Sequence, residues 1–191
     1  FLFGLSFMFF SLVLLSDAGK ALHLDSTPAV IEFFKSFDVN SYFTILIFLA
    51  IGSVITCIVQ SSAAVMAITI LLCSTGVLPI YLGIALVMGE NIGTTITANL
   101  AALAANTQAR RAALAHLMFN VIGVIWVLAV FYPFVNMVCG FVDYNPAVGA
   151  VNANIKVKLP VVLAAFHTTF NVANTFLLIW FIPQLEKLVD R

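Results

Sequence analysis

Val59-Gln60-Ser61-Ser62-Ala63-Ala64 lies between two apolar stretches, 41–59 and 63–72, and Gly89-Glu90-Asn91-Ile92-Gly93-Thr94-Thr95-Ile96-Thr97 lies inside a third, 80–105. Amides, hydroxyls, glycines and one carboxylate are thus set into segments apolar enough for a bilayer. Hydrocarbon penalises each unpartnered polar group by several kcal/mol, so such clusters persist only where they face protein, water or a solute. Two interrupted apolar segments are the pattern of a transporter site built from discontinuous helices.

The rest of the chain agrees with a membrane location. Of its 191 residues, 63% are hydrophobic and 8% are charged, against about 45–50% and about 25% in soluble domains. Apolar runs of about 18–22 residues without period-two alternation make the spans helices, not barrel strands. A formal net charge of zero argues against a nucleic-acid partner. Cys57, Cys73 and Cys139 are odd in number and lack ligand spacing, which fits small buried hydrophobes. Phe1 opens inside an apolar run with no basic n-region or small-residue cleavage site, so a fragment of a longer protein is expected rather than a signal peptide.

The fold expected is all-α and membrane-integral: one membrane domain over 1–191, with about four spanning helices and one re-entrant helical hairpin. Residues 1–16 read as the remainder of a first span. Residues 17–40 read as an interfacial amphipathic segment whose helix opens near Ser26-Thr27-Pro28. Residues 41–75 form the hairpin, with its tip at Gln60–Ser62, because the second arm is too short to cross at about 1.5 Å per residue. Gly76 to Pro79 is a turn. Residues 80–105 are a spanning helix broken at Gly89–Gly93, and 106–111 a polar loop. Residues 112–132 are a span stopped by Pro133, and 134–158 are mixed, with turns at Gly140, Asn145-Pro146, Gly149 and Asn152. Residues 159–182 are the last span, stopped by Pro183, and 184–191 an amphipathic tail. Arg110, Arg111, Lys187 and Arg191 fall on one side, and Lys156 and Lys158 on the other. That bias puts the C-terminus in the cytoplasm.

A short echo is visible: Ala115-His116-Leu117-Met118-Phe119-Asn120-Val121 recurs as Phe166-His167-Thr168-Thr169-Phe170-Asn171-Val172. In both copies His and Asn at i, i+4 share a helix face, which suggests two equivalent helices.

The polar residues admit two readings. At a hairpin tip, Gln60, Ser61 and Ser62 offer hydroxyls, an amide and free helix-end N–H groups to an anion, while the carbonyls ending the incoming helix suit a small cation. The plainer reading is serines bonded back to their own helix and packed against neighbours. In the second cluster Gly89 and Gly93 let the backbone unwind or approach closely. Asn91 could cap a helix that restarts there, and Thr94, Thr95 and Thr97 supply oxygens for an alkali cation. The plainer reading is a Gly-xxx-Gly packing face. Glu90 is neutral, paired with a cation or facing water, since its charge costs about 2.5–3.5 kcal/mol or more at the bilayer centre. The two clusters are expected to converge near the midplane. His116, Asn120, His167 and Asn171 are secondary candidates, the histidines reading first as bonded core residues. No catalytic constellation or cofactor motif is present, so an enzyme is not indicated.

These residues resemble one repeat of the sodium/phosphate cotransporter family, type II and bacterial branch. Each of that family's two inverted repeats carries a Gln-Ser-Ser-Ser motif followed by Gly-x-Asn-Ile-Gly-Thr-Thr. The segment 105–124 and the ending His167 to Lys187 are also similar to that family's second repeat. The resemblance therefore implies half of an inverted-repeat transporter, its C-terminal repeat, completed by a missing N-terminal repeat or by a second copy. It implies sodium-coupled symport of inorganic phosphate across the inner (cytoplasmic) membrane, with sodium as coupling ion and no other cofactor. Gln60, Ser61, Ser62, Asn91, Thr94 and Thr95 would line the site, with sodium at Ser61, Ser62, Glu90 and Thr94. Two departures stand out. Ala63 replaces the third serine, and Glu90 stands where many members have a small residue. The alternatives are a carrier of another anion, or a membrane structural or regulatory subunit.

Overall fold

The computed structural model describes residues 2–21, 28–146 and 153–189, which form nine α-helices and no strand among the described residues. They are α1 (Leu2–Ala21), α2 (Pro28–Lys35), α3 (Tyr42–Val59), α4 (Ser62–Ser74), α5 (Ile80–Ala102), α6 (Thr107–Ala129), α7 (Phe131–Phe141), α8 (Ala153–Leu178) and α9 (Ile182–Val189), with one 3₁₀ turn at Ile179–Phe181. Four segments are long and apolar enough to cross a membrane: Tyr42–Val59, Ile80–Ala102, Thr107–Ala129 and Val157–Val189.

α5 is the axis. Ile80, Leu82, Ile84, Val87 and Met88 are buried on all sides by α3, α4, α6 and α8. A helix apolar around its whole circumference is one that other helices surround. Against α3 the approach is backbone to backbone. A side chain at Gly52 would strike the Leu86 carbonyl, and one at Gly89 the Leu49 carbonyl. A Cβ at Gly93 would lie 2.5 Å from the Ser53 carbonyl oxygen and 2.8 Å from Thr56 Cβ. From Gly89 against Leu49 and Ser53 to Gly93 against Ser53 and Thr56 the contacts advance along both helices, so α3 and α5 run parallel. α4 runs the other way: Cys73 abuts Gly83, and Thr69 bonds Glu90. An antiparallel return between two parallel helices makes α3–α4 a helical hairpin. Gln60 ends α3 in the left-handed region (φ 58°), and Ser61 caps α4 by accepting from the Ala64 N–H at 3.3 Å.

Several boundaries differ from the sequence reading. α5 is continuous through Gly89–Gly93; the expected break is not there, and Asn91 caps nothing. The hydroxyls that suggested a break are satisfied inside the helix: Thr94 donates to the Glu90 carbonyl, Thr95 to Ile92 and Thr97 to Thr94. Residues 106–111 are not a loop, because Asn106 caps α6 through its side chain and Arg110 and Arg111 lie in the first turns. Pro133 sits in the first turn of α7, where its missing N–H costs nothing. Residues 131–141 are therefore helical, and Gly140 is in a helix rather than a turn. α1 runs on to Ala21, through the start of the segment expected to be interfacial. α2 opens at Pro28, and its Phe34 together with Phe37 just beyond its end packs against Phe48 of α3. Pro183 lies in the first turn of α9. Of the expected turns, Gly149 and Asn152 lie outside the described residues. Cys73 and Cys139 are buried thiols and Cys57 is half-buried.

α6 and α8 are joined by Asn174. It is fully buried, its Nδ2 donates to the Phe119 carbonyl at 2.9 Å, and its Oδ1 accepts from Trp126 Nε1 at 3.1 Å. Gly123 leaves the room this amide needs. At the opposite end Lys158 pairs with Asp143 at 2.8 Å, which holds that exposed carboxyl below its usual range through the hydrogen bond and then the charge.

Candidate functional site

Residues 89–97 present different faces of α5 to different partners. Gly89 and Gly93 face α3, Glu90 faces α4, and Asn91 faces α8. Successive residues turn by about 100° around a helix, so adjacent positions need not share a neighbour.

Glu90 is buried, 2% exposed, and no described residue forms an ion pair with it. Its Oε1 lies 3.1 Å from the Thr69 hydroxyl, which also lies 3.0 Å from the Val65 carbonyl. Thr69 has one proton for two acceptors. A neutral Glu90 can donate to Thr69 while Thr69 donates to Val65. An ionised Glu90 must draw that proton away and be neutralised by a cation. Close by, the Ser53 hydroxyl reaches both Leu49 and Gly89 carbonyls at 3.0 Å. Thr56 Oγ1, on the same face of α3 one turn later, is buried without a hydrogen-bond partner among the described residues.

On the α8 side, His167 Nε2 lies 3.2 Å from Asn91 Oδ1, and Asn91 Nδ2 is buried with no partner among the described residues. Asn99 further along α5 is satisfied by the Thr95 and Ala113 carbonyls.

The helical registers relate the hairpin tip to this group. From the Thr56–Gly93 contact, one more turn of α3 brings Gln60 level with Thr97. From the Thr69–Glu90 bond, two turns back along α4 bring Ser62 to the same level. Gln60, Ser61 and Ser62 thus share a level with Thr97, while Glu90 and Asn91 lie at the middle of α5, roughly 10 Å away at 1.5 Å per residue. The polar residues form an elongated group in two tiers, not a single point.

The two copies of the echo part here. Asn120 and Asn171 each donate to the carbonyl of the histidine four residues earlier, at 3.0 and 2.8 Å. Yet His167 reaches Asn91, whereas His116 is exposed and is no core residue. It lines a groove of about 780 Å³ between α6 and α9, with Arg111, Phe119 and Glu186. That groove also puts Arg111 and α9 at one end of the bundle, opposite Lys158. The sequence reading missed Ser53, Thr56, Thr69 and Asn174. Ser53, Thr56 and Gln60 follow helical spacing on one face, and Ser62 and Thr69 are separated by two turns on another. That spacing was the available signal.

Residues 29–143 match the family model described as Na+/Pi-cotransporter. The chain is 39% identical over 95 residues to "Uncharacterized protein YqeW" of Bacillus subtilis, covering 50% of this chain and 30% of that protein. It is 34% identical over 141 residues to "Putative inorganic phosphate export protein YjbB" of Salmonella typhimurium, covering 74% and 23%. It is 32% identical over 132 residues to human "Sodium-dependent phosphate transport protein 2B", covering 66% and 19%. The matches take in less than a third of each relative's length. No solved structure matches.

Proposed function

Because the chain belongs to the Na+/Pi-cotransporter family, we propose that it forms the second repeat of a carrier that couples inorganic phosphate to sodium across the cytoplasmic membrane. The observation that carries this reading is the polar pair on α5: the buried Glu90 carboxyl has no counter-charge and the buried Asn91 amide nitrogen no acceptor among the described residues. One suits a cation, the other an anion, and a symporter needs both. Ser61, Ser62, Glu90 and Thr94 are the sodium candidates. Gln60, Asn91, Thr95 and Thr97 line the phosphate path, and the inverted partner repeat or a second copy closes it. α3–α4 is a re-entrant hairpin in this reading, since 13-residue α4 spans only about 20 Å. The bias of Arg110, Arg111, Lys187 and Arg191 over Lys156 and Lys158 supports a cytoplasmic C-terminus.

A relative named for phosphate export favours a second reading, outward movement by the same site. Radiolabelled phosphate flux in proteoliposomes of the full-length protein, under sodium gradients of either sign, tests both. Uptake driven by inward sodium supports symport. Efflux indifferent to sodium supports export. No phosphate flux in either direction, with flux of another anion, refutes phosphate as substrate.

A further inference from the structure

We propose, resting on the phosphate reading above, that His167 is a positioning residue which turns the Asn91 amide so that its NH₂ group faces the transported anion. Asn91 lies at the middle of α5, and His167 reaches its Oδ1 from α8 at 3.2 Å. An oxygen in that place accepts, so Nε2 of the ring carries the proton. The amide is then fixed by one end, and its nitrogen is left buried and unpartnered among the described residues. A buried donor left without an acceptor is costly, and a bound oxyanion would offset that cost where a sodium ion could not.

The arrangement also answers an electrostatic difficulty. An ionised Glu90 next to Asn91 in sequence would repel phosphate. Glu90 points instead to Thr69 on α4, about 100° around the helix from the face that meets α8. Anion donor and carboxyl are neighbours in the chain but face different helices. The second copy of the echo lacks this partnership, since His116 is exposed in its groove.

The test is phosphate and sodium titration of uptake by the full-length protein, with thermal midpoints of each purified variant. His167→Leu should raise the phosphate KM about tenfold, the loss of roughly one well-made hydrogen bond to a charged ligand, with maximal rate within about twofold. His167→Gln, whose Nε2 reaches the same carbonyl, should restore most of the affinity. A purely structural histidine would show no such rescue. Asn91→Asp keeps Oδ1 and replaces the NH₂ by oxygen, so phosphate affinity should fall by more than His167→Leu lowers it, with no gain for sodium. Should His167→Leu fail to fold, His167→Gln against the shorter His167→Asn carries the same contrast. Equal phosphate KM in wild type, His167→Leu and His167→Gln overturns the proposal while leaving the phosphate reading intact. So does tighter sodium binding by Asn91→Asp at unchanged phosphate KM, which would mean that the carbonyl faces a cation. A wild-type protein without phosphate flux removes the premise and the proposal together.

Discussion

The two sides of α5 are built on opposite principles from one short run of sequence. Toward α3, Gly89 and Gly93 remove side chains so that backbones touch, and of the two hydroxyls there Ser53 is tied to carbonyls of both helices while Thr56 has no partner among the described residues. Toward α4 and α8, the Glu90 side chain and the Asn91 amide nitrogen are buried with hydrogen-bonding capacity to spare. Packing motif and ligand motif were rival readings of residues 89–97. The helix gives the two sets of residues different faces, the glycines toward α3 and the polar side chains toward α4 and α8. The packing glycine and the buried carboxyl are one residue apart in sequence.

Substitutions should separate the two sides. The largest effect is expected at the glycine seam. Gly89→Ala forces a methyl into the Leu49 carbonyl, and overpacking of this kind costs about 1–3 kcal/mol. A lowered thermal midpoint of the purified protein would show it, and an unchanged midpoint would mean the seam is looser than described. Glu90→Gln should behave oppositely. It keeps the Thr69 hydrogen bond and removes a buried charge, so stability should hold or rise while the sodium half-saturation concentration increases. An unchanged sodium dependence at every pH would remove Glu90 from the cation path. Ser62→Ala, two turns further along, should reduce phosphate uptake less, by about two- to tenfold, through one lost hydroxyl. Flux titrated over sodium and phosphate would reveal it, and full activity would assign the hairpin tip to packing. His116→Ala, the copy outside the polar group, should leave uptake within about twofold, which uptake assays read directly. The smallest effect is at Asp143→Asn. Its carboxyl is depressed in the folded state by Lys158, so the pair's contribution is present above the ordinary carboxyl value of 3.8 and disappears as pH falls through the folded value. Both groups are near water, and surface pairs contribute little. Thermal midpoints of the variant and wild type, compared from neutral to acid pH, should nearly coincide.

Much of this was legible beforehand, for definite reasons. Composition alone required helices in a membrane. The Gln60–Ser62 interruption is a true chain reversal because nothing else lets α4 return along α5. The expected break at Gly89–Gly93 failed because threonine hydroxyls bond to carbonyls three or four residues back, which makes a polar run compatible with an unbroken helix. Spacing within one helix put Asn120 on the face of His116 and Asn171 on that of His167, since i, i+4 geometry is local, and each amide bonds the backbone carbonyl of its histidine. It could not say that one histidine would meet Asn91 and the other a groove, since that depends on which helix lies opposite. Thr69 and Asn174 were invisible for the same reason: a single polar residue in an apolar run shows its importance only through its partner.

Asn174 has a bearing on how the protein is made. A side-chain amide crossing hydrocarbon alone is unwelcome, and α8 also carries Lys158, Pro160, His167 and Asn171, so it is a poor candidate for independent insertion. The groups that satisfy Asn174, the Phe119 carbonyl and the Trp126 indole, belong to α6, which leaves the ribosome first. The last long helix therefore enters the bilayer against a neighbour already in place. The order of synthesis becomes the order of assembly.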